Sequence, residues 1–462
     1  MDYLEQKTKQ INRDRGLSIY NDKYKLIKLI KVLEPQHKLF TEEIYTEFKR
    51  YLTPPFHVAS QGQTVGYDKK QSRLIISKPS FQKIKGVAGA GKTTILAKRA
   101  VNAHKRHQDR VLILTYNKTL RNFIRDKISD VREDFSWGMF AIINYHSFIM
   151  QMINVCGIEV SIPDGQSPSV YFEKLYSNEN LFNSHEAELY RYQTILIDEV
   201  QDYQPQWIKI IRKYFLAENG EMVLYGDESQ NIYERNISKQ NPALVQGFGR
   251  WERLTKSYRS KIDSPLTSIF KKFQNNYLLS KYDIDLIDAE PAPGHLSFNI
   301  LKMVTFINLE GIYETIFKTL KEENIHPNDV CILSTSIHLL RQLDQKIRYD
   351  SKEKTQTTFE SEEVFIELNK LYRNNKSELQ RELDLIRGSK KFSFNLNSGL
   401  LKLSTVHSFK GLESHTAIYI IMKEDSDEMV YTGITRSKEN LVMFLSQGVQ
   451  HKEFFEAQSS IN

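Results

Sequence analysis

The stretch Gly86-Val87-Ala88-Gly89-Ala90-Gly91-Lys92-Thr93-Thr94 constrains this chain more than any other. It follows the pattern G-x-x-x-x-G-K-[ST]. Small residues let a backbone curl tightly and turn its N–H groups inward, which makes a cradle for phosphate. Lys92 can reach the outer phosphates of a nucleotide, and the Thr93 hydroxyl can serve a magnesium ion. Apolar residues precede the loop (Leu74-Ile75-Ile76, then Ile84), and a helical pattern follows it (Ile95-Leu96-Ala97, then Ala100-Val101). The expected unit is therefore a strand, a phosphate loop and a helix whose N-terminus faces the phosphates.

The 462-residue chain is long for one core, and 40% hydrophobic with 26% charged residues reads as soluble and globular. Its net charge of +7 is compatible with nucleic acid without requiring it. Cys156 and Cys331 lie among apolar residues without metal-ligand spacing, which points to core packing and a reducing cytoplasm. The charged N-terminus shows no signal-peptide pattern, and no apolar run is long enough to suggest a membrane span.

Residues 1–66 hold a helical pattern (Leu26, Ile27, Leu29, Ile30, Val32, Leu33) but no recognisable chemistry. Taken on its own, Gln71 reads as a surface residue. Arg110–Thr115 reads as a buried parallel strand that delivers Tyr116-Asn117-Lys118-Thr119 to its C-terminal end, where open α/β sheets place ligands. Ala141–Phe148 reads as a second strand, ending at Tyr145 and His146, and residues 151–190 as an insertion. Thr194–Ile197 is a third strand, with Asp198 and Glu199 at its tip. Asp198 can hold Mg²⁺ through its water shell, and Glu199 can deprotonate an attacking water. Met222–Gln230 is a further strand-to-loop unit, and Tyr258-Arg259 sets an aromatic beside a cation. The second unit, 256–462, has strands at 329–334, 401–405, 417–422 and 441–445. Residues 350–392 read as a charged helical connection, Val430–Lys438 as the start of a helix carrying Arg436, and the tail from Gln447 as frayed.

Eight stretches, in order, resemble the superfamily one helicases of the UvrD/Rep/PcrA-like branch: GVAGAGKTT, LTYNKTL, NYHSF, IDEVQD, LYGDESQNIY, LTKSYRS, STVHSFKGLE and YTGITRSKENL. That resemblance implies an α/β fold of two RecA-like P-loop lobes, 67–255 and 256–462, with ATP in the cleft between them. It implies that Gln71 reads adenine and Tyr258 stacks on it. Gly86, Ala88, Gly89, Ala90, Gly91, Lys92, Thr93 and Thr94 would hold phosphates, and Thr93 and Asp198 the Mg²⁺. Glu199 would activate water, Gln230 would sense the γ-phosphate, and Arg259 and Arg436 would act as arginine fingers. Glu413 would meet the ribose. Tyr116, Asn117, His146 and His407 fall in motifs that touch single-stranded DNA or couple to it.

The implied activity is ATP-driven translocation on single-stranded or partly duplex DNA, in the 3′→5′ sense, with unwinding as a further step and RNA left open. An alternative is an ATP-driven switch subunit of a defence or repair complex, signalling to a partner such as a nuclease. Departures from the family pattern bear on this choice. The insertion in the second lobe, about 345–395, is much reduced. Glu234-Arg235-Asn236 stands where the family usually places a Trp-Arg pair that stacks a base.

Overall fold

The computed structural model describes residues 52, 54–59, 65–163, 167–227, 230, 247–258, 265–282, 284–287, 300–306 and 308–459. The N-terminal helical pattern, Glu234–Asn236 and Arg259 lie outside them.

Among the described residues, two six-stranded sheets organise the fold. The first holds β1 (Phe81–Gly86), β2 (Val111–Thr115), β3 (Phe140–Asn144), β4 (Tyr192–Ile197), β5 (Leu216–Gly226) and β6 (Trp251–Leu254). Their order is β3-β2-β4-β5-β1-β6. The second holds β7 (Leu301–Thr305), β8 (Val330–Ser334), β9 (Thr355–Thr357), β10 (Leu401–Thr405), β11 (Ser414–Ile421) and β12 (Ser437–Leu445). Their order is β7-β12-β11-β8-β10-β9. Every strand pair among the described residues is parallel. Helices flank both sheets, so the protein is α/β with two RecA-like lobes. The continuous apolar runs of β2, β4, β8 and β11 follow from burial on both faces.

Local sequence explains most elements and several surprises. Leu74 closes a short helix, Lys69–Leu74, and the strand before the phosphate loop is instead the polar run Phe-Gln-Lys-Ile-Lys-Gly of β1. This run was hard to read as a strand because Lys83 and Lys85 alternate with the apolar Ile84, although both are buried between β5 and β6. The expected strand through Phe148 stops at Asn144, and the helix Tyr145–Val155 begins there. Tyr145, Phe148, Ile149 and Ile153 recur at helical spacing and are buried, so a helical apolar face wins over strand propensity. Arg436 follows a helix, Asp427–Ile434, and does not sit within one. The strands β6, β7 and β9 are short or partly exposed, and their patterns do not stand out in sequence.

The loop helix Lys92–His107 is pinned to the sheet from below. Arg99 and Glu221, both fully buried, meet at 2.6 Å. Arg99 also donates to the Leu74 carbonyl at 2.9 Å and to Gln82 at 2.7 Å. One guanidinium thus fixes the loop helix, the central strand β5 and the short helix carrying Gln71. No described helix is long and apolar enough to cross a membrane.

Residues 447–459 of the tail are docked, where fraying was expected. Val449, His451, Phe454 and Phe455 are buried, and Phe455 stacks on Phe273 with ring centroids 6.0 Å apart. Phe455→Ala is expected to lower stability by about 3 kcal/mol, by reduced burial and a residual cavity. An unchanged urea midpoint would refute this docking.

Candidate nucleotide site at the lobe junction

The phosphate loop needs its glycines for geometric reasons. Gly89 and Gly91 take φ of +78° and +79°, in the left-handed region. A Cβ on Gly86 would lie 2.8 Å from the Leu254 Cβ. Three carbonyls of the loop are held from outside. Ser257 Oγ donates to Ala88 at 3.0 Å, the Tyr258 N–H to Gly89 at 2.8 Å, and Gln71 Nε2 to Ala90 at 3.3 Å. These contacts fix the curve of the loop, and a loop of this kind meets an anion with its amides.

Gln71 departs from the surface reading: it is 5% exposed. It forms a capping box with Asp68, accepting from the Asp68 N–H at 3.1 Å while its own N–H donates to Asp68 Oδ1 at 2.7 Å. The Tyr258 hydroxyl donates to the same Asp68. Gln71 and the exposed Tyr258 ring therefore border one spot beside the loop. Here the Gln71 amide is engaged at both ends, by the Asp68 N–H and the Ala90 carbonyl.

Lys92 Nζ donates to the carbonyls of Gly86 at 2.7 Å and Val87 at 3.2 Å, and it lies 3.4 Å from Asp227 Oδ2. Thr93, with Thr94 behind it in the first helical turn, places its Oγ1 3.4 Å from Asp198 Oδ2. Burial, and then the charge of Glu199, push the Asp198 carboxyl up to about 7, against the pull of Lys92. A hydroxyl beside a buried carboxylate that faces a second acid is a hard-oxygen donor pair suited to Mg²⁺. These residues fit that ion.

β4 ends at Ile197, which puts both acids just beyond the strand. Glu199 is held at φ +53°, a conformation uncommon outside glycine and one that costs backbone energy. The turn brings its carboxylate to the Gln201 side chain. Gln201 donates to that carboxylate, and Gln201 Oε1 accepts from the Asp227 N–H at 3.0 Å.

A polar chain then crosses between the lobes. Asp227 Oδ2 accepts from Gln230 Nε2 at 2.8 Å, and Gln230 Oε1 accepts from Arg436 Nη2 at 2.8 Å. Arg436 is 1% exposed and is aimed by the carbonyls of Thr432 at 2.8 Å and Leu412 at 3.0 Å. Lys92, Asp227, Gln230 and Arg436 thus form one connected line. Asp227 and Gln201 were not singled out from sequence. Asp227 lies two residues past the buried Tyr225 and Gln201 lies within DEVQD, and strand-end position was the available signal. Glu413 sits next to this line but pairs with Lys438 at 2.6 Å.

The residues expected at nucleic acid divide into two groups. Tyr116 and His146 pack around Trp207, with Tyr116 stacked at 6.3 Å and His146 edge-on at 4.8 Å. Trp207 is a ring that sequence reading passed over. Asn117 instead reaches the second lobe, where its Nδ2 donates to the carbonyls of His407 at 3.0 Å and Ser408 at 2.9 Å. Thr119 Oγ1 donates to Ser408 at 2.6 Å. His407 is held below its ordinary pKa by burial and by the nearby charges of Lys410 and Lys391, so it is neutral at pH 7. Elsewhere, the fold brings ligand-capable atoms of Cys156, His185 and Glu188 within 4.8 Å of one another, a grouping their sequence spacing does not announce.

A family model described as an AAA domain matches residues 71–236, a span that holds the phosphate loop, both strand-end acids and Gln230. No curated protein matches the chain. The match and the loop geometry together support a P-loop nucleotide-binding domain of the kind that hydrolyses nucleoside triphosphates.

Lys410 Nζ meets both oxygens of Asp202, at 2.6 and 2.8 Å, with each side chain 2% exposed. Removing one partner leaves a buried charge uncompensated. Lys410→Met is expected to destabilise by about 3–5 kcal/mol. Lys410→Met combined with Asp202→Leu should recover much of that loss in a denaturation cycle, and additive losses would argue against the pair.

Proposed function

We propose that this protein is an ATP-driven motor on single-stranded DNA, with hydrolysis between its two lobes coupled to their relative movement. The observation that carries the reading is the line Lys92–Asp227–Gln230–Arg436, which runs from the phosphate loop of one lobe to a buried arginine of the other. In this reading a γ-phosphate between Lys92 and Arg436 replaces Asp227 and Gln230 as their partner. Glu199 takes a proton from the attacking water as its oxygen bonds the γ-phosphorus, the bond from that phosphorus to the β–γ bridging oxygen breaks, and ADP and inorganic phosphate are the products. Lys92 and Arg436 offset the charge spread over the transferring oxygens. Thr93 and Asp198 would hold Mg²⁺, which would neutralise charge on the phosphates as a Lewis acid.

Hydrolysis removes the γ-phosphate, so Gln230 and Arg436 return to each other and the lobes change spacing. The loop 406–410, tied to Asn117, Thr119 and Asp202 of the first lobe, moves with them. Tyr116, His146 and His407 lie just past the C-terminal ends of β2, β3 and β10, and rings in such positions would suit stacking on bases. The eight motifs of the helicase family support DNA as the track and 3′→5′ as the direction.

A second reading, a switch that signals to a partner such as a nuclease, is favoured by one observation. The Asn117 amide is engaged with the second lobe, so this residue serves coupling between lobes ahead of strand contact.

Lys92→Ala and Glu199→Gln are each expected to lower ATP turnover by at least about 10²-fold, with Glu199→Gln retaining ATP binding. Arg436→Ala should reduce kcat by about 10³-fold with binding kept. Unchanged turnover in any of the three would remove that residue from the site. The deciding measurement is the ATPase rate alone, with single-stranded DNA and with single-stranded RNA. Strong DNA stimulation supports the motor, and a strand-displacement assay then reads unwinding. A rate indifferent to both nucleic acids counts against the motor.

A further inference from the structure

A cleft of about 770 Å³ opens on the flank of the first lobe, away from the phosphate loop. The short helix Lys69–Leu74, the segment leading into β1, β1 itself and the approach to β6 form its walls. Lys69, Lys70, Arg73, Lys78 and Arg250 line it and are exposed, and Glu252 is the one carboxylate among its described lining residues. Deeper in the wall, Lys83 is buried and sits 5.1 Å from the Trp251 ring centroid. Lys70 is turned onto the Arg253 carbonyl. Lys69, Arg73, Lys78 and Arg250 make no ion pair among the described residues.

Like charges gathered in a concave wall repel one another and focus a positive field into the cleft. Two features decide which anion it suits. The rim is made of long, exposed side chains from separate segments, which fits several spaced negative charges better than one small group. The only aromatic among the described lining residues, Phe248, is 3% exposed and packs on Phe81, so no ring is offered to a base. Such a surface reads charge and not sequence.

We propose that this cleft holds the phosphate backbone of nucleic acid, as a second, sequence-independent contact outside the junction of the lobes. The inference rests on the nucleic-acid reading above and adds a place to it. It also adds a link to the nucleotide. The helix whose Lys69, Lys70 and Arg73 line the cleft carries Gln71 on its other face, bonded to the phosphate loop at Ala90.

The test uses the full chain and the variant Lys69→Gln/Arg73→Gln/Arg250→Gln, whose positions are exposed. Binding of fluorescent single-stranded and tailed-duplex oligonucleotides is followed by anisotropy across a salt series without ATP. The variant is expected to bind more weakly at low salt. Its slope of log K against log salt should be shallower by about 0.7–0.9 for each phosphate that the variant no longer neutralises, while ATP affinity is unchanged. Wild-type affinity and slope in the variant would overturn the proposal and leave the motor reading standing. No binding of nucleic acid by the wild type would overturn both. With the phosphate loop filled by excess ATP, inorganic tripolyphosphate that binds the wild type but not the variant, with oligonucleotide binding equal in the two, would reassign the cleft to a small anion.

Discussion

The buried contact between Asp202 and Lys410 sets the frame for the rest of the structure. Two charges taken out of water cost several kcal/mol each, and they are tolerated only when geometry and further bonds compensate. Here Lys410 Nζ meets both carboxylate oxygens, so the pair holds the turn after β4 against the loop after β10. That turn carries Glu199, and that loop carries Gly411. A Cβ on Gly411 would stand 3.1 Å from Glu199 Oε1. The proposed water-activating acid is thus placed against the second lobe by a contact that involves neither nucleotide nor strand.

Asn117 and Thr119 grip the same loop from another side, and Arg436 grips Gln230 beyond it. The junction is therefore a set of directional bonds over an apolar base in which Leu120, Phe394, Phe409 and Leu412 belong to one buried cluster. Apolar packing tolerates small sliding, whereas a hydrogen bond such as Gln230–Arg436 is broken within a fraction of an ångström. A γ-phosphate competing for Arg436 would therefore be felt as a discrete change of partner. The strained backbone at Glu199 fits this picture, since a site that must be ready before its substrate arrives stores its cost in the empty fold.

Sequence and structure agree where the chemistry is local. The phosphate loop, the acids at the end of β4 and the buried runs of β2, β4, β8 and β11 were legible because each is a contiguous pattern. Legibility failed where tertiary contact overrode local preference. Gln71 looks like a surface residue among lysines and is buried by a capping box and the loop. β1 looks too polar for an inner strand. His146 lies on a helix, and the tail that seemed frayed buries Phe454 and Phe455 against Phe273.

The amino-acid sequence alone determined that this chain folds a glycine-rich loop that ends in a lysine and a hydroxyl, and a strand that ends in two acids. A tight loop and a strand end are governed by sterics and hydrogen bonding within a few residues, and those are written in residue order. Only the tertiary structure decided which distant groups complete them. Asp227 under Lys92, Arg436 on Gln230, Lys410 on Asp202, and the cations gathered around one flank cleft all depend on how two sheets pack. Contacts between residues far apart in the chain are set by that packing, because chain proximity neither brings such groups together nor holds them apart.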